Sequence, residues 1–309
     1  MISSLPIDEA EANPAAPKLS DTLSATNITA RPAIIDPNYR IEYEEKPGPG
    51  LDPYSVFDAF LTAMGFYAVE PFLLPIGSST QEFFNQGSKI VRVSLKSETG
   101  RTMAADEAMY GIMLCAQKVA RATTPFKPAG CTLRHRASPV EDRRVGYFVV
   151  SLARATEDGS SIVGLGISVE TANISLVARS GEAQAEVTDE ANGRWKVVLF
   201  QNTRELLQIP FALSVLEVLV NYAAAAPSES MKEAYPAGEK VWSTAEGIRV
   251  WMKANVPAGA YTLYAGGVYG LMELVRAVKK SGRFLETDFE IYDTRGFGKT
   301  KTVTGRIYR

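Results

Sequence analysis

Four side chains in the second half of the chain suggest chemistry by type and spacing: Phe200, Arg249, Trp251 and Tyr292. They fall in strand-like stretches at positions of matching parity, so alternation puts them on one face of a sheet. Trp and Tyr supply broad apolar area with a polar handle. Arg supplies a planar fork of donors that anchors a carboxylate or polarises a carbonyl. The expected chemistry is binding of a flexible apolar molecule in a reactive conformation, with Arg249 as the catalytic group and Phe200, Trp251 and Tyr292 as the substrate-binding wall. Such preorganisation needs neither a nucleophile triad nor a metal. The same face has a purely structural use as well, packing on the segment between the two halves of the chain or on the first half.

Other chemistry is narrowed by composition. A single His (His135) and two Cys (Cys115, Cys131) cannot build a His/Cys zinc site or an iron–sulfur cluster, which leaves only an all-carboxylate hard-ion site open; no metal and no cofactor is expected. Lys plus Arg is 33 against 35 Asp plus Glu, which speaks against a nucleic-acid partner held by a basic field. No apolar run reaches the ~18 residues of a spanning helix. G-x-S-x-G, Walker A, H-E-x-x-H and C-x-x-C are absent, and Gly164-Leu165-Gly166 lacks the third Gly of a dinucleotide loop. His135, in Arg134-His135-Arg136 at a strand end, reads as a surface residue, and a hydrolase using it with a carboxylate is a remote option. Arg92 and Arg249 sit at equivalent strand positions and pair with Glu42 or Glu290, or anchor a ligand carboxylate. Gly266-Gly267, ahead of a helix, permits close packing or receives an anion. The cysteines read as two buried thiols behaving as small hydrophobes, with a bridge left open.

The elements that position these residues come from an internal repeat. Tyr39–Ala153 and Trp195–Arg309 are each 115 residues long and align with an offset of 156 to 159. Val91-Arg92-Val93-Ser94-Leu95-Lys96 matches Ile248-Arg249-Val250-Trp251-Met252-Lys253, and Tyr110-Gly111-Ile112-Met113 matches Tyr269-Gly270-Leu271-Met272. Each copy reads strand, helix, strand, helix, strand, strand. The fold class is therefore α+β, a tandem duplication packed about a pseudo-twofold axis. Ser55, behind Pro53, is the expected cap of the first helix. Tyr110 and Tyr269 open equivalent helices and are expected to pack equivalently.

Four segments follow: a disordered arm over 1–38, repeat units over 39–153 and 195–309, and a bridge over 154–194. The arm is rich in Ala, Ser, Pro and Thr, without steady periodicity. The bridge is predicted as a hairpin of Ser161–Ser168 and Ile174–Ala178, turning at Thr171–Asn173. In copy one Tyr39, Ile41, Tyr43, Val91, Val93, Leu95, Cys131 and Leu133 share an apolar face. In copy two Trp195, Val197, Leu199, Ile248, Val250, Met252, Phe289 and Ile291 do so. These faces must cover the helices. The opposite face is charged in copy one (Arg40, Glu42, Glu44, Arg92, Ser94, Lys96, Thr132, Arg134), and half aromatic or apolar in copy two.

The stretch Ile35-Asp36-Pro37-Asn38-Tyr39-Arg40-Ile41-Glu42-Tyr43 resembles the start of a family of uncharacterised filamentous-ascomycete proteins, some of which look secreted. The resemblance implies no established activity and assigns no site residue. The chain as given has no secretory signal and reads as cytoplasmic, or as secreted if a signal peptide was removed. Two functions compete. One is a cofactor-independent cyclase or isomerase of fungal secondary metabolism acting on an apolar small molecule. The other is a secreted or effector-like protein-interaction module.

Overall fold

The structure is a computed structural model describing residues 37–69, 75–77, 79–86, 88–136, 142–153, 176–179, 182–188, 195–224, 234–235, 239–255, 262–294 and 300–309. The expected arm over 1–38 lies almost wholly outside the described residues, as does 161–175. The first half runs β1 (Tyr39–Glu45), α1 (Pro53–Ala68), β2 (Pro75–Ile76), β3 (Gln81–Phe84), β4 (Val91–Ser97), β5 (Met103–Ala104), α2 (Ala105–Arg121), β6 (Ala129–Arg136) and β7 (Asp142–Leu152). The linking segment contributes β8 (Leu176–Arg179) and β9 (Glu182–Thr188). The second half runs β10 (Trp195–Glu205), α3 (Gln208–Ala224), β11 (Ala234–Tyr235), β12 (Glu239–Ser243), β13 (Arg249–Ala254), β14 (Thr262–Leu263), α4 (Tyr264–Ser281), β15 (Leu285–Asp293) and β16 (Thr300–Tyr308).

The fold is mixed α+β with antiparallel sheets. The first sheet has strand order β1-β6-β7-β4-β3. The second has order β12-β13-β16-β15-β10-β9-β8, so β10-β15-β16-β13-β12 repeats the first order strand for strand. The pairs β2–β5 and β11–β14 are equivalent too. Each half thus holds more strands than the repeat pattern showed: β3 and β12, and the two-residue pairs. The first arm and turn of the hairpin forecast for the bridge lie outside the described residues. Leu176–Arg179 pairs with Glu182–Thr188, and β9 adds to the edge at β10.

The four helices of the described residues lie between the sheets, α1 and α2 on the first, α3 and α4 on the second. α1 and α3 force this arrangement. Val56, Phe57, Ala59, Phe60, Leu61, Ala63 and Met64 of α1 are buried, as are Phe211 through Leu216 and Val218 through Val220 of α3. A helix apolar on nearly every side needs a sheet behind it and helices in front. α2 and α4 are amphipathic and end in Lys118 and Arg121, and in Lys279 and Lys280, which suits a helix C-terminus. The cap of α1 is Asp52, not Ser55: its carboxylate accepts from the Ser55 N–H at 2.8 Å, with Pro53 in the first turn. Tyr110 and Tyr269 lie in the second turns of their helices rather than at the openings.

The predicted inner faces are those that cover the helices. Val197, Leu199, Val250, Met252, Phe289 and Ile291 are all buried, as are Val91, Val93, Leu95, Cys131 and Leu133. Cys115 on α2 and Cys131 on β6 form a disulfide, with Cα atoms 6.0 Å apart. The reading of two free thiols is therefore replaced by a bridge fastening helix to sheet. At the matching positions the second half has Leu274 on α4 and Phe289 on β15, both 0% exposed.

Where the halves meet, Gly65 of α1 admits the Met272 side chain of α4, and a Cβ there would collide with its sulfur. Beside it Arg276 of α4 donates to Asp58 of α1 at 3.1 Å and to Glu273. Asp58 also accepts the Gln86 N–H at 2.6 Å, holding the turn after β3. Glu217 does the same in the second half, accepting the Ala245 N–H at 3.0 Å. Burial raises the Glu217 carboxyl above its ordinary range. The partner cation exists on one side alone, because Gln117 stands where Arg276 has its counterpart.

Arg276→Met leaves two buried carboxylates facing each other without their cation. It is expected to lower unfolding stability by about 3–5 kcal/mol in urea melts. Adding Asp58→Asn and Glu273→Gln should recover much of that loss. A loss under about 1 kcal/mol for Arg276→Met would show that the cluster does not hold the halves together.

Candidate functional site

A part-buried polar constellation away from the junction of the halves lies at the N-terminal end of α2. It starts from a cross-strand row on the helix side of the first sheet, Tyr39 of β1 opposite His135 of β6, and His135 opposite Arg143 of β7. Strand parity accounts for this: His135 is two residues from buried Leu133 and faces inward with it. The Tyr39 ring lies 4.6 Å from the His135 ring and stacks on Tyr110 of α2 at 5.3 Å. His135 is thus half-buried in an aromatic stack, not the surface residue that its flanking arginines suggest.

The row meets α2 through Glu107. Its Oε2 accepts the Ala104 N–H at 3.0 Å, the reach-back half of a capping box. Its Oε1 accepts from Arg143 Nη2 at 2.6 Å and from the Tyr39 hydroxyl at 3.4 Å. Asp106 accepts the Glu107 N–H at 2.8 Å. Burial pushes the Asp106 carboxyl above the usual aspartate range; the Glu107 charge adds to this, while backbone hydrogen bonds and Arg143 oppose it. Tyr39, Asp106 and Glu107, with Pro75, Thr102 and Ala104, border an open crevice of about 230 Å³. The crevice is thus bordered by an aromatic ring and by a carboxyl of raised pKa, a group suited to moving a proton.

The equivalent place in the second half is filled. Trp195 stands for Tyr39, Gly266 for Glu107, and Asp293 for His135. The Trp195 ring covers Gly266 so closely that a Cβ there would lie 2.6 Å from it. Gly267 is pressed likewise by Tyr222. Both glycines lie within α4 and serve close packing.

The residues singled out from the sequence are placed differently. Arg249, Trp251, Phe200 and Tyr292 share the outer face of the second sheet but do not converge. Trp251 pairs with Arg306, Arg306 with Asp288, and Asp288 with Phe200, so Trp251 and Phe200 stand three strands apart, roughly 14 Å. Tyr292 lies four residues further along, opposite Lys196. Arg249, exposed, neighbours Trp251 two residues away on β13. The Arg306–Asp288 pair at 3.3 Å occupies the space between. Tyr292 donates to Glu290, and burial followed by this bond pushes its hydroxyl up to about 12. The indole Nε1 of Trp251 is buried and has no hydrogen-bond partner among the described residues. On the first sheet Arg92 pairs with Glu82 at 2.8 Å rather than with Glu42, which pairs with Arg134 at 2.8 Å. Glu290 is taken by Lys301 at 2.9 Å, not by Arg249.

Sequence reasoning missed Asp106, Glu107 and Arg143. The available signals were the inward parity of His135 and the exchange of Glu107 for Gly266 at matching positions. Among the described residues no group of three or more His, Cys, Asp or Glu could hold a metal ion, and no helix is long and apolar enough to cross a membrane. No family model matches the chain, and no curated protein or solved structure matches it.

The folded protein holds the Asp106 proton more tightly than the unfolded chain does. The stability linked to this group is full below the ordinary aspartate range and is lost as pH rises through the folded value. Asp106→Asn keeps an acceptor for the Glu107 N–H and cannot ionise. Melting temperatures should therefore shift in favour of the variant as pH rises from about 4 to 7. A difference between variant and wild type that stays constant over that range would contradict the raised value.

Proposed function

We propose that the chain is a cofactor-independent enzyme of the isomerase or cyclase type, acting on a small carbonyl compound at the end of α2. Asp106 is the acid–base group, the Tyr39 ring lines the crevice with its hydroxyl turned to Glu107, and His135, Arg143 and Glu107 hold the two residues in position. The observation that carries this reading is the contrast between halves: an open, polar crevice in one and Trp195 seated on Gly266 in the other. The common strand order supports a tandem duplication about a pseudo-twofold axis, in which one copy kept an opening that the other closed. The substrate's apolar part would lie along Pro75 and the Tyr39 ring. In a fungal setting such an enzyme belongs to secondary metabolism.

The test copies the closed half into the open one. A library of small neutral carbonyl compounds, followed by ligand-observed NMR, should yield binders to the wild type. Tyr39→Trp with Glu107→Gly should abolish their binding while circular dichroism stays unchanged. Asp106→Asn, a milder change, should weaken it. Equal binding to all three proteins, or no binder to the wild type, would reject the site.

A second reading is an exported interaction module that presents Phe200, Arg249, Trp251 and Tyr292 to a protein partner. The Cys115–Cys131 disulfide favours it, because such bonds persist in oxidising compartments. The chain recovered from its native source should then be found outside cells with both cysteines oxidised, as read by thiol alkylation and mass spectrometry. Recovery in the cytosol with two free thiols would count against export.

A further inference from the structure

The two sheets end differently at one edge. In the second sheet β9 lies outside β10, and β8 outside β9. In the first sheet β1, the strand equivalent to β10, pairs with β6 on one side and with no described strand on the other. The ladder shows which backbone groups this leaves. At the two ends of the β1–β6 pairing the Lys46 N–H donates to the Pro128 carbonyl at 2.7 Å and the Arg136 N–H to the Asn38 carbonyl at 3.0 Å. Antiparallel bonds alternate, so Arg40, Glu42 and Glu44 exchange theirs with β6. Ile41, Tyr43 and Glu45 turn N–H and C=O outward, where no described residue takes them.

Side-chain burial carries the same contrast. Trp195, Val197 and Leu199 of β10 are buried, whereas Tyr39, Ile41 and Tyr43 at the matching places are half-buried although they too face the helices. The strand that covers β10 is the one immediately ahead of it in the chain: β9 ends at Thr188, with residues 189–194 before Trp195. Immediately ahead of β1 stand residues 1–38, which enter it through a turn at Pro37 and Asn38. Within them 18–31 is the longest run without Pro. It contains Thr26-Asn27-Ile28-Thr29-Ala30, in which β-branched residues predominate. The composition of this segment supplies no apolar core of its own, and a sheet edge asks for none, because a ladder is made of backbone bonds.

We propose that a strand from within residues 18–31 pairs with the outer edge of β1, giving the five-stranded first sheet the added strand that β9 gives the second. Residues 32–38 are too few for the crossover that parallel pairing needs, so the pairing is antiparallel. With Thr26, Ile28 and Ala30 on the helix side, the added strand covers Ile41 and Tyr43, and Asn27 and Thr29 fall beside Arg40 and Glu42. The tether selects this occupant over a separate chain: a segment joined to β1 through so short a link meets the edge at an effective concentration of about 1 mM or more.

Residue-resolved amide hydrogen exchange by NMR tests this on the full chain and on a chain lacking residues 1–31. In the full chain the Ile41, Tyr43 and Glu45 amides should exchange at least about tenfold more slowly than in the shortened one. The Arg40, Glu42 and Glu44 amides, bonded to β6, should be slow in both and so report an intact sheet. Ile28→Pro with Thr29→Pro keeps the chain length and, in either register, removes one N–H that faces β1, so it should act as the truncation does. Nuclear Overhauser contacts between β1 and residues 18–31 should identify the occupant in the full chain itself. Fast exchange at Ile41, Tyr43 and Glu45 in the full chain, or the absence of those contacts, would overturn the proposal. Slow exchange that survives the truncation would do so too, and its dependence on protein concentration would point to a second copy on the same edge.

Discussion

The need to bury α1 and α3 on nearly every side organises this protein. One sheet can hide only one face of a helix. Phe57, Phe60, Leu61 and Met64 on α1, with Phe211, Leu213, Val215 and Leu219 on α3, therefore demand a sheet on one side and helices on the other. The order sheet, helix pair, helix pair, sheet satisfies both at once. Some of the polar groups that enter this interior fasten turns. Asp58 and Glu217 hold equivalent turns after equivalent strands, and Arg276 compensates the one of them that faces it across the junction.

The two halves share a skeleton and differ in what fills it. Where the first half ties α2 to its sheet with Cys115–Cys131, the second has buried apolar residues, Leu274 and Phe289, at the matching positions. Where the first stacks Tyr39 on Tyr110 and His135 above a buried carboxylate, the second seats Trp195 on bare backbone at Gly266. These exchanges preserve the layers because each is balanced locally: Trp replaces Tyr where Gly replaces Glu, so the volume added on the strand is removed from the helix. The same exchange leaves the second half without the counterpart of Glu107 beside its first helix turn.

Because the middle of the molecule is packed with side chains, openings occur at its margins: beside the first turn of α2, and, with room for about one water molecule, where α1, α3 and α4 meet near Phe284. The outer sheet faces are of a different kind. That of the first sheet is laced by Arg92–Glu82, Arg134–Glu42 and Arg40–Asp142, whereas that of the second alternates such pairs with half-buried aromatic rings. Surface pairs of this sort contribute little stability, so the aromatic rings set the character of that face.

By itself the sequence determined what is local. Alternation assigned Val197, Leu199, Val250 and Met252 to the helix side, and repeated signatures at near-constant offset placed helices and strands in matching positions in both halves, because side-chain period depends only on backbone geometry. It also placed Phe200, Trp251, Tyr292 and Arg249 correctly on one face. Only the tertiary structure decided how far apart they stand, since β16 and β15 lie between β13 and β10, and strand order is a property of the folded sheet. The short strands β3 and β12 escaped notice because a few residues carry too little periodicity to stand out, and β9 because its largely polar sequence lacks an apolar pattern. The cysteine bridge and the Tyr39–His135–Arg143–Glu107 cluster stayed hidden for a related reason. Their members come from elements far apart along the chain, and chemistry between side chains depends on distances that chain order does not contain.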